Sequence, residues 1–321
     1  MNVSSYTAAN SFPWKIYKDF DLLESIYYDG IILPRHVQLS PTNKCNLHCS
    51  FCSCEDRDRS LEWTFEDVIK IVNILVEQQC AAVTITGGGE PLLFPHIGEL
   101  ITGLRECGIQ VGLVSNGIAG ATSNTIRHLR WCRFSFSDER NFDNNFIENV
   151  LGFVAWKVDV AFSYVVTNNP NLDNIRKIVD FANKYNFTHV RMVSDILDNN
   201  TSHILEDIQR ELKNEKIDDS KIIYQPRASF TTGREQCLIS LLKPMIYSDG
   251  YVYPCCGAQY ALLDEQKRMP NKMRMGHYTD LPEIIAQQQN FNGSVCSVCY
   301  YKHYNDALIE YKQQTYHEEF I

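Results

Sequence analysis

Several absences narrow the chemistry of this chain. No uninterrupted apolar run of about 18 residues occurs in its 321 residues, so no segment can cross a bilayer as a helix and no membrane partner is expected. The stretch Met1 to Asn10 lacks a basic segment followed by an apolar one, and a cytoplasmic location is expected. Dense runs of Lys or Arg are also missing. With 30 basic against 39 acidic residues the formal net charge is -9, so the counterion release that drives non-specific nucleic-acid binding has little basic surface to act on. A nucleic-acid substrate is disfavoured. Cysteine, by contrast, is plentiful: 12 residues, which in a long chain without an export signal point to metal or redox chemistry rather than disulfides. A composition of 44% hydrophobic and 21% charged residues can bury a full core, and the length allows one large domain plus a small one.

Strand and helix signals alternate from about His36 to Asp195. Short runs rich in Val, Ile, Phe or Thr predict strands at His36 to Pro41, Ala82 to Thr86, Gln110 to Ser115, Arg133 to Ser137, Asp159 to Val166 and His189 to Val193. Helical periodicity predicts helices over Thr64 to Gln79, Ile97 to Glu106, Asn124 to Trp131, Phe146 to Trp156 and Leu172 to Tyr185. Thr64 and Asp67 form a capping-box-like pair at the first of these. Six β-α repeats imply an α/β fold with a parallel sheet and right-handed crossovers, which places ligands at the carboxyl ends of the strands.

The run Cys45-Asn46-Leu47-His48-Cys49-Ser50-Phe51-Cys52 follows the first strand, where chemistry is expected. A cubane iron-sulfur cluster has four irons, so three thiols leave one iron open to a non-protein ligand. The alternative is a zinc site, which wants four closed ligands and could enlist Cys54 or His48.

This run resembles the signature of the radical S-adenosylmethionine (radical SAM) enzymes, Cys-x3-Cys-x2-Cys with an aromatic residue, here Phe51, before the third Cys. The resemblance implies a partial (β/α)6 barrel, a 4Fe-4S cluster on Cys45, Cys49 and Cys52, SAM chelated to the open iron, and one-electron cleavage of SAM to a 5'-deoxyadenosyl radical. It also implies a flavodoxin- or ferredoxin-like reductant. In Thr86-Gly87-Gly88-Gly89-Glu90-Pro91-Leu92 the glycines allow close approach to the backbone and a carboxylate can accept from an ammonium group. The run is similar to the family's Gly-Gly-Glu-Pro element, which makes Gly88, Gly89 and Glu90 contacts of the SAM amino group. Ser115-Asn116-Gly117 is similar to its Thr/Ser-Asn-Gly element. In Ser135-Phe136-Ser137-Asp138 the sequence departs from the usual Ser-x-Asp-Gly. Ser135 is retained as a SAM contact, whereas Ser137 and Asp138 fit strand-end capping equally well.

Near the C-terminus, Cys237 precedes the hairpin-like Tyr247-Ser248-Asp249-Gly250-Tyr251-Val252-Tyr253, then Cys255 and Cys296-Ser297-Val298-Cys299. Four thiols suit a fully ligated cluster, and equally a structural zinc ribbon. The block resembles the SPASM/Twitch auxiliary-cluster extension of radical SAM enzymes. No cysteine follows Cys299, and the shorter Twitch arrangement is expected, with one auxiliary 4Fe-4S cluster on Cys237, Cys255, Cys296 and Cys299. The implied organisation is an N-terminal extension (1–35), a radical SAM core (36–200), a connector (201–236) with a helix near Ile204 to Leu212 and a strand at Lys221 to Tyr224, an auxiliary domain (237–300) and a C-terminal helical tail (301–321).

Of the remaining thiols, Cys80, Cys107 and Cys132 are expected to be small buried residues, and Cys54 to be mainly structural. Cys256 adjoins an expected cluster ligand. In radical SAM peptide epimerases that resemble this architecture, a Cys of such a pair donates a hydrogen atom to the substrate radical; a packing role is the alternative. The resemblance implies a ribosomally made peptide as substrate, epimerised or cross-linked. Against it, only 35 residues precede the first strand, fewer than the roughly 80 of a small peptide-recognition domain. The alternatives are dehydrogenation of a small polyol, aminocyclitol or sugar, and a non-catalytic iron-sulfur or zinc module that binds a partner.

Overall fold

A computed structural model describes residues 14–196, 198, 202–226, 231–265 and 267–313. Its centre is one ten-stranded sheet. The strands are β1 (His36–Leu39), β2 (Ala82–Ile85), β3 (Gln110–Ser115), β4 (Trp131–Ser137), β5 (Asp159–Val166), β6 (His189–Ser194), β7 (Ile222–Gln225), β8 (Met245–Ile246), β9 (Tyr251–Tyr253) and β10 (Gly276–His277). Their order is β10-β9-β8-β1-β2-β3-β4-β5-β6-β7. Pairing is parallel from β8 through β7 and antiparallel only at β8–β9 and β9–β10. The order is linear and leaves two edges, and residues of β1 through β8 line one interior cavity, the arrangement of a partial barrel.

Helices cover the outer face. Phe65–Glu77 begins with a complete capping box, in which Thr64 and Asp67 satisfy each other's backbone donors, and it buries Val68, Ile71, Val72 and Leu75. The alternation along β4 shows how the two faces divide. Cys132, Phe134 and Phe136 are buried outward, while Trp131, Arg133 and Ser135 are only half-buried and line the barrel interior. The outer layer is aromatic: Phe134 packs edge-on against Phe146 and Phe153, and Phe162 packs at a shallow tilt of 31° against Phe187, contacts worth roughly 0.5–1.5 kcal/mol each beyond area burial.

Three expectations change. The helix expected over Asn124 to Trp131 is one turn, Ser123–Ile126, because Arg130 N donates to Val111 O at 2.8 Å and draws the chain into the sheet. Trp131 then pairs with Gly112, whose missing Cβ makes room: one built there would lie 2.1 Å from the indole. Second, the strand foreseen in the connector is a full member of the sheet. Helix Ser202–Asn214 and β7 make a seventh repeat, with β7 parallel to β6. The C-terminal hairpin likewise extends the sheet, β8 lying parallel to β1. Third, Cys80 and Cys132 are buried as expected but Cys107 is exposed, since it caps the C-terminus of helix Ile97–Glu106. Residues 1–13 of the expected N-terminal extension, 227–230 of the connector and 314–321 of the tail lie outside the described residues. Helix Lys302–Lys312 accounts for most of the rest of the tail. Among the described residues no helix is long and apolar enough to cross a membrane.

Candidate active site

Two loops at the carboxyl end of the sheet are cross-tied by backbone. From the glycine run after β2, Gly89 N donates to Thr42 O at 3.1 Å and Glu90 N to Lys44 O at 2.7 Å, while Gly88 N reaches Ser40 Oγ at 2.9 Å. The segment leading into Cys45 is thereby pinned. A Cβ on Gly89 would fall 2.2 Å from Lys44 O, so the approaching backbone requires that glycine, and one on Gly88 would fall 2.2 Å from Tyr247 Oη and 2.3 Å from Asn43 Oδ1, side chains that close over it.

Two arginines that sequence reasoning missed hold the cysteine loop. Arg57, buried, donates from Nε to Asn43 O at 2.9 Å and from Nη1 to Cys52 Sγ at 3.3 Å and to Cys54 O. Arg59 donates to Cys45 O at 2.9 Å. The Asp-Arg-Asp-Arg run just after the cysteines was the available signal. Cys45, Cys49 and Cys52 are all half-buried and line one cavity together with Phe51, Gly88, Gly89, Glu90, Ser115, Asn116 and Ser135. The Cys49 thiol is pushed up to about 11, by burial first, then by Cys52, Cys45 and Glu139, against the opposing charge of Arg140. Three thiols on one short loop, facing one cavity, are the donor set that a cluster with one open iron requires.

Glu90 is 2% exposed. Its Oε1 accepts from Leu92 N at 3.0 Å and Ser115 Oγ at 2.8 Å, and its Oε2 from Asn116 N at 2.7 Å. A carboxylate has about four acceptor positions, so one remains toward the cavity. Burial raises its pKa, and the hydrogen bonds from Asn116, Leu92 and Ser115 and the charge of Arg140 pull it back. Ser115 and Asn116 are engaged with the protein: the Ser115 hydroxyl also accepts from Gly117 N, and Asn116 Nδ2 donates to Asn46 Oδ1 at 2.7 Å, tying β3 to the cysteine loop. Arg140, another residue missed from sequence, lines the cavity with its guanidinium 4.9 Å from the Phe136 ring and 5.0 Å from that of Phe146. Asp138 proves structural. It accepts from Tyr164 Oη at 2.7 Å, Thr167 N at 2.8 Å and Asn171 N at 2.9 Å, and so caps the end of β5.

The C-terminal thiols occupy a different setting. Cys237, Cys255, Cys296 and Cys299 line a closed void of about 20 Å³. Cys296 is pushed up to about 12 by burial, then by Cys237 and Cys299, and Cys255 upward by burial and then by Cys256, Cys237 and Cys296. Among the described residues no three His, Cys, Asp or Glu side chains converge tightly enough for a single ion; these four surround a space instead. Cys255 is extended (φ -174°, ψ 173°), so consecutive thiols part company: Cys255 lines the small void and Cys256 the large cavity. Cys256 Sγ lies 3.4 Å from Tyr301 Oη. Cys54, 2% exposed, donates to Gln259 Oε1 at 2.8 Å, consistent with a structural part.

Residues 39–133 match the Radical SAM superfamily. The matched segment begins at the end of β1 and takes in both cross-tied loops. The superfamily implies SAM and a 4Fe-4S cluster, and the three-thiol loop beside Glu90 fits them. A UPF0026 protein of Helicobacter pylori is 26% identical over 184 residues, covering 48% of this chain and 59% of its own length; the chain thus spans less than two thirds of that relative. Among solved structures, Streptococcus suis SuiB bound to S-adenosylmethionine superposes with a TM-score of 0.59 at 15% identity, over 85% of this chain and 70% of SuiB. SuiB bound to precursor peptide SuiA gives 0.58 at 14% identity, over 89% and 76%. Native anSMEcpe with bound AdoMet and Cp18Cys peptide gives 0.56 at 15% identity, over 88% and 84%. These likenesses establish a shared fold: an α/β, mostly parallel sheet like a partial barrel.

Proposed function

We propose that this chain is a radical SAM enzyme with one auxiliary 4Fe-4S cluster, acting on a ribosomally made peptide. The observation that carries the reading is the joint lining of one cavity, about 740 Å³, by Cys45, Cys49, Cys52, Glu90 and Cys256, a size within the roughly 300–1,000 Å³ of small-molecule sites. The three thiols would hold the first cluster, and the free acceptor position of Glu90 would take the SAM ammonium. Arg140 supplies a cation beside them, and Phe51, Gly88, Gly89 and Ser135 form the wall, with Ser115 and Asn116 fixing Glu90. Bound there, cluster and SAM would supply a 5'-deoxyadenosyl radical that removes a hydrogen atom from a substrate C–H. Placement by the cavity then selects the bond.

Cys237, Cys255, Cys296 and Cys299 would hold the auxiliary cluster in residues 237–300, a Twitch-like unit beside a core over 36–200. A peptide substrate is supported by the peptides bound to SuiB and anSMEcpe. Cys256, on the cavity wall, would donate a hydrogen atom to a substrate radical, giving the epimer and a thiyl radical that an electron from the reductant and a proton return to the thiol. The reading includes a flavodoxin- or ferredoxin-like reductant and a cytoplasmic location.

The test is anaerobic reconstitution of the native chain and of a Cys45/Cys49/Cys52 triple alanine variant, counting iron and sulfide and assaying 5'-deoxyadenosine with SAM and dithionite. The expected result is about eight irons in the native chain, about four in the variant, and deoxyadenosine from the native chain alone. Zinc in place of iron, or intact clusters that never cleave SAM, would overturn the reading.

A further inference from the structure

The large cavity does not end at the thiols. It continues down the barrel, and polar side chains from most strands stand among the apolar ones that line it: Gln38 of β1, Thr84 of β2, Arg133 of β4, Ser163 of β5, Arg191 of β6 and Gln225 of β7. Barrel interiors are ordinarily filled by layers of branched apolar residues. Here Arg191 Nη2 donates to Ser163 Oγ at 2.9 Å, and the Arg133 guanidinium stands 5.6 Å from the Trp131 ring.

Lys243, just before β8, completes the set. It is 7% exposed and lines the cavity, and its hydrogen bond goes to Tyr301 Oη at 3.3 Å. Among the described residues no carboxylate stands within ion-pair distance of it. An ammonium carries three donors, and burying one without a counter-charge is expensive. Burial lowers Lys243, Cys256 and Cys255 raise it, and Arg133 and Lys15 add smaller lowering effects as nearby cations. Two lumen-side histidines report the same field. His189 is pushed down to about 3 by burial, then by Arg133 and Arg191, and His36 well below its usual range by burial, then by Lys243 and Lys15. Lys243, Arg133 and Arg191 thus share the cavity wall, which also carries the acidic Asp19, Glu90 and Asp195. Among the described residues the buried Oε1 atoms of Gln38 and Gln225 have no hydrogen-bond partner and offer acceptors to N–H or O–H groups beside an anion.

We propose that the barrel lumen is an oxyanion site, centred on Lys243 with Arg133 and Arg191 beside it, that binds a carboxylate or phosphate of the substrate. The substrate's charged end lies in the lumen and its reacting C–H faces the thiol end. Only that orientation rests on the radical SAM reading.

The test is calorimetric titration of the anaerobically reconstituted, SAM-loaded protein with inorganic phosphate, N-acetylglutamate α-amide and its neutral counterpart N-acetylglutamine α-amide. At least one anion should bind, and the neutral amide about tenfold more weakly than its acid or worse. Tighter binding of the carboxylate identifies an acidic peptide group; tighter binding of phosphate identifies a phosphorylated small molecule. Lys243→Met should weaken anion binding about tenfold and Lys243→Arg should restore it to within about threefold, both with unchanged iron content and SAM affinity. Arg133→Gln, an independent variant, should also weaken anion binding. Equal binding of acid and amide, full anion affinity in Lys243→Met, or no anion binding by the native protein would each overturn the proposal. Lys243-dependent binding in a protein that never cleaves SAM would retain the lumen site and remove the radical reading; SAM cleavage without anion binding would do the reverse.

Discussion

The two cysteine sets of this chain share a donor atom and differ in almost everything else. Cys45, Cys49 and Cys52 lie within eight residues, on a loop pinned by Arg57, Arg59 and the glycine run, and they face a cavity of about 740 Å³. Cys237, Cys255, Cys296 and Cys299 come from three separated stretches and close on a void of about 20 Å³. An incomplete ligand set beside open space can exchange a ligand. A complete set around a closed space cannot, and it staples distant chain segments together. The same division separates catalytic from structural zinc sites. On this reading the first set carries chemistry and the second carries fold.

The sharpest way to break that contrast is to compare stability losses. Cys296→Ala removes one buried member of the closed set, whose neighbouring backbone contacts include the pairing of Gly233 N with Cys296 O at 3.0 Å. It should cost more than about 3 kcal/mol, as lost metal sites do. The Cys45/Cys49/Cys52 triple alanine variant changes three residues on a loop held by other contacts and should cost clearly less. Anaerobic denaturant unfolding of both reconstituted variants decides it, and a larger loss in the triple variant would reverse the assignment of roles.

A second, smaller effect concerns the open site alone. Glu90→Gln keeps the shape and removes the charge that would face an ammonium group, so SAM binding should weaken about tenfold to a hundredfold. Its pH dependence has a defined sign. Burial raises the Glu90 carboxyl above its ordinary value of 4.5, so the side chain is neutral below the raised value and charged above it. Native SAM affinity should fall as pH drops through that raised value, whereas Glu90→Gln should lack the slope. The linked stability runs the opposite way: the contribution is complete below 4.5 and is lost as pH rises through the folded-state value. Equilibrium dialysis across this window, with both proteins, checks the first statement. An identical slope in the variant would assign the titration to another group.

Much of the fold could be read before any coordinates. Strand runs such as Gln110–Ser115 and Asp159–Val166 are locally determined by β-branched and aromatic residues, and helix Phe65–Glu77 announces itself through Thr64 and Asp67. The cysteine spacing and the Gly-Gly-Glu-Pro run were legible because they are contiguous. What escaped depends on contacts distant in sequence. The one-turn end of Ser123–Ile126 is set by Val111 O, and the placement of β8 beside β1 joins residues more than 200 positions apart. The lumen cations escaped for the same reason. Arg133, Arg191 and Lys243 are ordinary single charges in sequence, and only the curl of the sheet turns them to one interior. Ser115 and Asn116 were found, but their engagement with Glu90 was not, since a motif names residues without saying which atoms are already spent.

The smallest effect tests whether the two regions are mechanically separate. Tyr278, beside β10, donates from its hydroxyl to Asp67 Oδ1 at 2.7 Å, and Trp63 Nε1 donates to Tyr247 O at 2.9 Å. Both bonds join the C-terminal hairpin region to the start of helix Phe65–Glu77. Tyr278→Phe removes the first while Asp67 keeps its bonds to Thr64, so no carboxylate oxygen is stranded in the core and the cost should be about 1 kcal/mol. Iron content and deoxyadenosine formation should be unchanged, because the barrel loop and the closed void are each held by their own contacts. If this single hydroxyl instead lowers iron content or SAM cleavage, the joint transmits strain between the sites, and the division into a chemical set and a structural set must give way to one coupled unit.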